Sequence, residues 1–162
     1  MNPRPDELDE RIKKLKEGLK RAGVKATHQR LVIFQEVAKS GDHPDAEMIY
    51  NSVRRCLPTI SLDTVYRTLW LLLDLGLVET LSPPPHRTRF DANVSAHHHF
   101  VCMRCGAIRD FRSESFDRLT PPDGLSALGR VDKIQVEAKG LCSRCLKEKS
   151  KKGHNVIGKK QN

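Results

Sequence analysis

Between Leu8 and Gly76 apolar residues recur every three or four positions, in four runs separated by turn-forming residues. This is the pattern of short amphipathic helices. Leu8, Ile12, Leu15, Leu19 and Ala22 form one stripe, and Gly23 supplies a C-terminal stop. Thr27 is placed to cap a second helix carrying Leu31, Phe34, Val37 and Ala38, which ends near Gly41. Pro44 and Asp45 suit the start of a third, whose Ala46, Ile49, Tyr50, Val53 and Leu57 share a face until Pro58. Ser61 can cap a fourth, with Leu62, Val65, Leu69 and Leu72 turned inward and Gly76 at its end.

Helices three and four, joined by the turn around Pro58 to Ile60, make a helix-turn-helix pattern. Two strand-like segments follow, Leu77–Leu81 and Arg87–Asp91, joined by Ser82-Pro83-Pro84-Pro85-His86. A hairpin behind three or four small helices is a winged helix. From His97 the helical period is lost. His99–Val101, Ala107–Phe111 and Val131–Ala138 predict strands, with a helical piece between the last two that Pro121-Pro122 must break or restart. Lys147–Asn162 is lysine-rich without an apolar period and predicts a flexible tail. The expected fold class is α+β: a winged helix-turn-helix over 1–91, a small β-containing unit over 92–146 and a basic tail over 147–162.

Composition narrows the class. At 162 residues the chain has no room for a large multi-domain enzyme, and 38% hydrophobic with 30% charged residues describes a globular chain in water. Leu69–Val78, interrupted by Asp74, is too short to cross a bilayer. The polar start from Met1 to Glu10 has no signal-peptide core, so a cytoplasmic location is expected. The net charge of +9, from 29 Lys+Arg against 20 Asp+Glu, favours a polyanionic partner such as nucleic acid. Six lysines against one glutamate in residues 147–162 supply more than half of that excess. The tail is therefore expected to raise affinity for all DNA sequences alike.

Five cysteines, an odd number, argue for metal or redox chemistry rather than a disulfide framework. Cys102-Met103-Arg104-Cys105 and Cys142-Ser143-Arg144-Cys145 are two C-x2-C knuckles, and four thiolates suit a structural Zn(II). Arg104 and Arg144 favour the thiolate form. Redox-active dithiols or two chance turns are the competing readings. Cys56 is expected to be a small buried residue of helix three. Asp91, His97, His99 and Asp110 form a second, N/O-rich cluster, with His98 on the opposite face of its strand. Such donors suit Fe(II), Mn(II) or Zn(II); an idle, solvated histidine run accounts for them equally well.

Longer motifs run through the chain in order. They are Thr27-His28-Gln29-Arg30, His43-Pro44-Asp45-Ala46, Asp63-Thr64-Val65-Tyr66-Arg67-Thr68-Leu69, Arg89-Phe90-Asp91, and His97-His98-His99-Phe100-Val101-Cys102-Met103-Arg104-Cys105-Gly106, followed by the second knuckle. From Gly23 to Cys145, about three-quarters of the chain, this set resembles the ferric-uptake-regulator (Fur) family. The resemblance implies a homodimeric, metal-dependent transcriptional repressor with a C-terminal α/β dimerisation domain. It implies structural Zn(II) on Cys102, Cys105, Cys142 and Cys145. It also implies a regulatory Fe(II) or Mn(II) on His43, Asp91, His97, His99 and Asp110, as in the peroxide-responsive, PerR-type branch.

In that branch iron-dependent oxidation of histidine ligands reports peroxide, making His43 and His97 the expected targets. Metal shared by ligands of both halves would fix the angle between them. The fourth helix would enter the major groove of a palindromic operator in double-stranded DNA, with Arg30, Ser61, Asp63, Thr64, Tyr66 and Arg67 as the expected contact set. No turnover is implied, so no enzyme is expected. Asp91 and Asp110, where iron sensors carry Glu, favour peroxide sensing. Arg67 resembles the iron sensors, and an iron- or zinc-sensing regulator of metal uptake is the alternative. An iron oxygenase lacks room for a substrate pocket, and an RNA-binding module lacks aromatics, at 5% of the chain.

Overall fold

The computed structural model describes residues 3–81 and 88–153. They belong to two compact units, residues 1–96 and 97–162. The expected wing loop from Ser82 to His86, with Arg87, and the chain beyond Gly153 lie outside the described residues.

Four helices build the N-terminal unit: α1 (Pro5–Arg21), α2 (His28–Lys39), α3 (Ala46–Val53) and α4 (Leu62–Asp74). Their starts follow from side-chain caps. Thr27 accepts from the Arg30 N–H, Asp45 from Met48 and Ser61 from Thr64, each satisfying a backbone donor that the first helical turn leaves without a partner. Gly76, at φ +64°, ends α4 in the left-handed region that glycine enters without strain. The apolar stripes converge on one core of Leu15, Leu19, Ile33, Phe34, Ile49, Val53, Val65, Leu69 and Leu72, each nearly inaccessible to solvent. Gly18 lets α1 approach closely, since a Cβ there would stand 2.8 Å from the Leu77 side chain.

The third helix is shorter than its apolar spacing predicts. It ends at Val53, and Leu57 reaches the edge of the core from a turn in which its N–H donates to the Val53 carbonyl. Cys56 lies in that turn and is exposed, so the expected buried cysteine is corrected. Strands β1 (Glu79–Leu81) and β2 (Arg89–Asp91) pair antiparallel behind the helices, and Phe90 points into the core.

The C-terminal unit is a three-stranded sheet in the order β4-β3-β5. The central strand β3 (His98–Cys102) pairs antiparallel with β4 (Ile108–Phe111) and parallel with β5 (Glu137–Gly140). A short α5 (Glu114–Asp117) and a 3-10 turn (Asp123–Ala127) connect β4 to β5, and Pro122 immediately precedes that turn. The expected strand over Val131–Ala138 forms only from Glu137, because the backbone gains a ladder only where it meets β3. The expected tail is also shortened: α6 runs from Ser143 to Gly153.

Candidate metal sites and recognition helix

In the N-terminal unit, His43 and Asp91 meet through backbone architecture. The Phe90 N–H donates to the Pro44 carbonyl at 3.0 Å, tying the turn before α3 to β2. That tie sets the His43 Nε2 3.3 Å from the Asp91 carboxylate, with both residues buried. His43 has φ +50°, a left-handed conformation that costs a side-chain-bearing residue free energy and is often retained at functional positions. Asp91 also accepts from the Asn93 N–H at 2.7 Å, which fixes its carboxylate.

Next to this pair, Arg89 lies 3.6 Å from the Asp45 carboxylate, and its guanidinium donates to the Met48 thioether at 3.1 Å. Asp45 thus caps α3 and holds β2 at once.

In the C-terminal unit the alternation of β3 separates the three histidines. His97 and His99 turn to one face, their Nε2 atoms 2.9 Å apart. Asp110 stands directly across the ladder from His99, with Oδ1 3.5 Å from the His99 Nε2 and 3.9 Å from the His97 Nε2. His98 turns to the other face, 3.1 Å from Asp117 and against the rings of Phe111 and Phe116. Both His97 and His99 are about 1% exposed, which is incompatible with an idle solvated run.

The two knuckles form the second cluster of this unit. The first turns back at Gly106, where the Gly106 N–H donates to the Cys102 carbonyl. The second opens α6, with the Leu146 N–H donating to the Cys142 carbonyl. Ligand atoms of all four cysteines lie within 4.8 Å of one another, and Cys105 Sγ is 3.8 Å from Cys142 Sγ. Zn–S bonds of about 2.3 Å in a tetrahedron imply sulfur separations of roughly 3.8 Å. The cluster is compatible with a zinc site.

Its electrostatics are divided. The Cys142 N–H, donating at 3.3 Å, and then the Cys105 N–H hold the Cys102 thiol down to about 6. Burial, first, and the neighbouring thiols push Cys145 up to about 12. A cation is what allows all four to ionise together.

Four of the six expected DNA contacts come together in the N-terminal unit. Arg30, Asp63, Thr64 and Arg67 line one open cleft with Thr27 and Thr68. Asp63 and Arg67 form an exposed ion pair at 2.8 Å, and Tyr66 is exposed. Ser61 is engaged as the α4 cap. The spacing of α4 also exposes Trp70, one turn beyond Tyr66 and just past the end of the Asp63–Leu69 motif. No local pattern marks Gln135, a lone glutamine in an irregular segment, or the Asp45–Arg89 pair, whose members are far apart in the chain.

A unit of four helices and a strand pair, followed by a sheet unit with thiolate and imidazole–carboxylate clusters, is an arrangement suited to a metal-responsive DNA-binding regulator. The ferric uptake regulator family model matches residues 21–122, and the chain belongs to that family. It is 30% identical over 148 residues to the peroxide-responsive repressor PerR of Staphylococcus epidermidis, covering 91% of this chain and 99% of that one. It is 32% identical over 139 residues to the peroxide operon regulator of Bacillus subtilis, covering 86% and 96%. The ferric uptake regulator Fur of Helicobacter pylori shares the fold, with a TM-score of 0.68 at 22% identity over 86% of this chain and 93% of that one. Among the described residues no helix is long and apolar enough to cross a membrane.

Proposed function

We propose that the chain is a homodimeric, metal-dependent repressor that responds to hydrogen peroxide. The observation that carries this reading is the set of donors. Two buried imidazoles are held 2.9 Å apart with an aspartate beside them, which suits Fe(II) or Mn(II) and differs from a thiolate cage. Ligands about 2.1 Å from one ion stand roughly 3 Å or more apart, so the spacing fits a single cation. Relatives named for peroxide response support the same branch.

In this reading His43 and Asp91 join His97, His99 and Asp110 on one regulatory Fe(II) or Mn(II), while Cys102, Cys105, Cys142 and Cys145 hold structural Zn(II). A cation that favours the DNA-competent arrangement of the two units shifts the population toward it, and losing a ligand reverses the shift. Bound Fe(II) would supply the reduction of hydrogen peroxide. His43 and His97 take up the oxidising equivalents: a ring C–H is replaced by C=O to give 2-oxo-histidine, and peroxide is reduced to water. The altered ring is a poorer ligand, so metal and DNA are both released. On DNA, Arg30, Ser61, Asp63, Thr64, Tyr66 and Arg67 form the contact set, and two-fold symmetry calls for a palindromic operator.

The test is to load the protein with Fe(II), add substoichiometric peroxide and examine His43 and His97 by peptide mass spectrometry. One added oxygen on either is expected. Intact histidines, with operator binding that simply follows iron concentration, would establish the iron-sensing alternative instead.

A further inference from the structure

Gln135 lies just before β5, where the His99 N–H donates to the Val136 carbonyl and the Val136 N–H donates to the His98 Nδ1. Its side-chain nitrogen stands 3.1 Å from the His99 Nδ1 and 3.2 Å from the His97 carbonyl oxygen. The amide therefore touches the far side of the ring whose Nε2 faces His97 and Asp110.

Those contacts have a definite consequence for the imidazole. An amide N–H that donates to Nδ1 requires a bare Nδ1, and a neutral ring then carries its hydrogen on Nε2. The same hydrogen can bridge the 2.9 Å to the His97 Nε2. In that tautomer the Nε2 lone pair is not available to a cation. Metal binding through Nε2 needs the hydrogen on Nδ1, donated outward to an acceptor, an arrangement found around most metal-bound histidines. Rotation of the Gln135 amide exchanges its oxygen for its nitrogen and supplies that acceptor. The rotation costs the bond to the His97 carbonyl, so the two states compete.

We propose that Gln135 is a positioning residue that selects the tautomer of His99 and thereby sets the metal affinity of the His97–His99–Asp110 group. An amide serves both states, a carboxylate serves only the metal-ready one, and an alkyl side chain serves neither. No net charge leaves the ring in the exchange. The inference rests on the reading of these three residues as regulatory ligands.

The test compares wild type, Gln135→Glu, Gln135→Leu and His99→Ala, all with zinc in the thiolate site. Nitrogen-15 NMR of the histidine rings, without regulatory metal, reads the tautomer, and Mn(II) titration followed by electron paramagnetic resonance reads affinity. Wild type should carry the His99 hydrogen on Nε2 and Gln135→Glu on Nδ1. Gln135→Glu should bind Mn(II) about tenfold more tightly than wild type, and Gln135→Leu, which supports neither tautomer, should fall between the two. If His99→Ala leaves Mn(II) binding unchanged, the site reading itself fails. If His99→Ala abolishes binding while both Gln135 variants match wild type in tautomer and affinity, the site stands and the role of Gln135 is overturned.

Discussion

His99 and Asp110 occupy directly opposed positions on β3 and β4, with the His99 Nε2 3.5 Å from an Asp110 carboxylate oxygen. The sheet register, rather than a loop, sets this imidazole–carboxylate distance. Asp110 is about one-third exposed, whereas His99 is fully buried. The carboxylate can therefore be removed without opening the interior.

Asp110→Ala is expected to lower stability by only about 1 kcal/mol or less, because the carboxylate that contacts the His97 and His99 rings is itself part-exposed. Mn(II) affinity should fall by an order of magnitude or more. Parallel melting and Mn(II) titration check both halves; a large loss of stability with unchanged metal affinity would make Asp110 a structural residue.

His43 holds φ +50°, so its backbone strain can be separated from its side chain. His43→Gly and His43→Ala both delete the imidazole, yet only glycine relaxes the left-handed conformation. Denaturant titration should find the glycine variant more stable than the alanine variant by about 1 kcal/mol. Both should lose the metal dependence of DNA binding. Equal stability would mean that the turn relaxes when the imidazole is removed.

The zinc cluster carries an opposed pair of thiols. Cys102, held down to about 6 from an ordinary 9.0, stabilises the metal-free fold fully above the unfolded value and loses that contribution as pH falls through 6. Cys145, pushed up to about 12, does the reverse: its contribution is present below 9.0 and disappears as pH rises through 12. Zinc uptake by the metal-free protein should therefore still release about one proton, from Cys145, near pH 10, where ordinary thiols have largely ionised. Calorimetry in buffers of different ionisation enthalpy counts that proton; none released there would place Cys145 among ordinary thiols.

The helix starts were legible because Thr27, Asp45 and Ser61 each pair a capping oxygen with an apolar period that begins immediately afterwards. The four cysteines and the His97/His99 face were legible because their spacings are local. The end of α3 was not, since Leu57 keeps the helical spacing while reaching the core from a turn. Strand β5 depends on pairing with residues nearly forty positions earlier, and α6 rests on good helix formers that composition alone reads as a tail. The His43–Asp91 contact depends on the bond between Pro44 and Phe90, and the Gln135 contact on β5 register. Both are tertiary relations that no sequence window contains.

The central claim, that a histidine–aspartate cation controls DNA binding and that peroxide acts through iron there, is tested most directly by one affinity comparison. A palindromic duplex selected for binding the Mn(II) form is titrated by fluorescence anisotropy with Fe(II)-loaded and Mn(II)-loaded protein, before and after one equivalent of peroxide. The account predicts tight binding by both forms at first, then loss of affinity by the Fe(II) form alone. Retention by both forms, or equal loss from both, would contradict it.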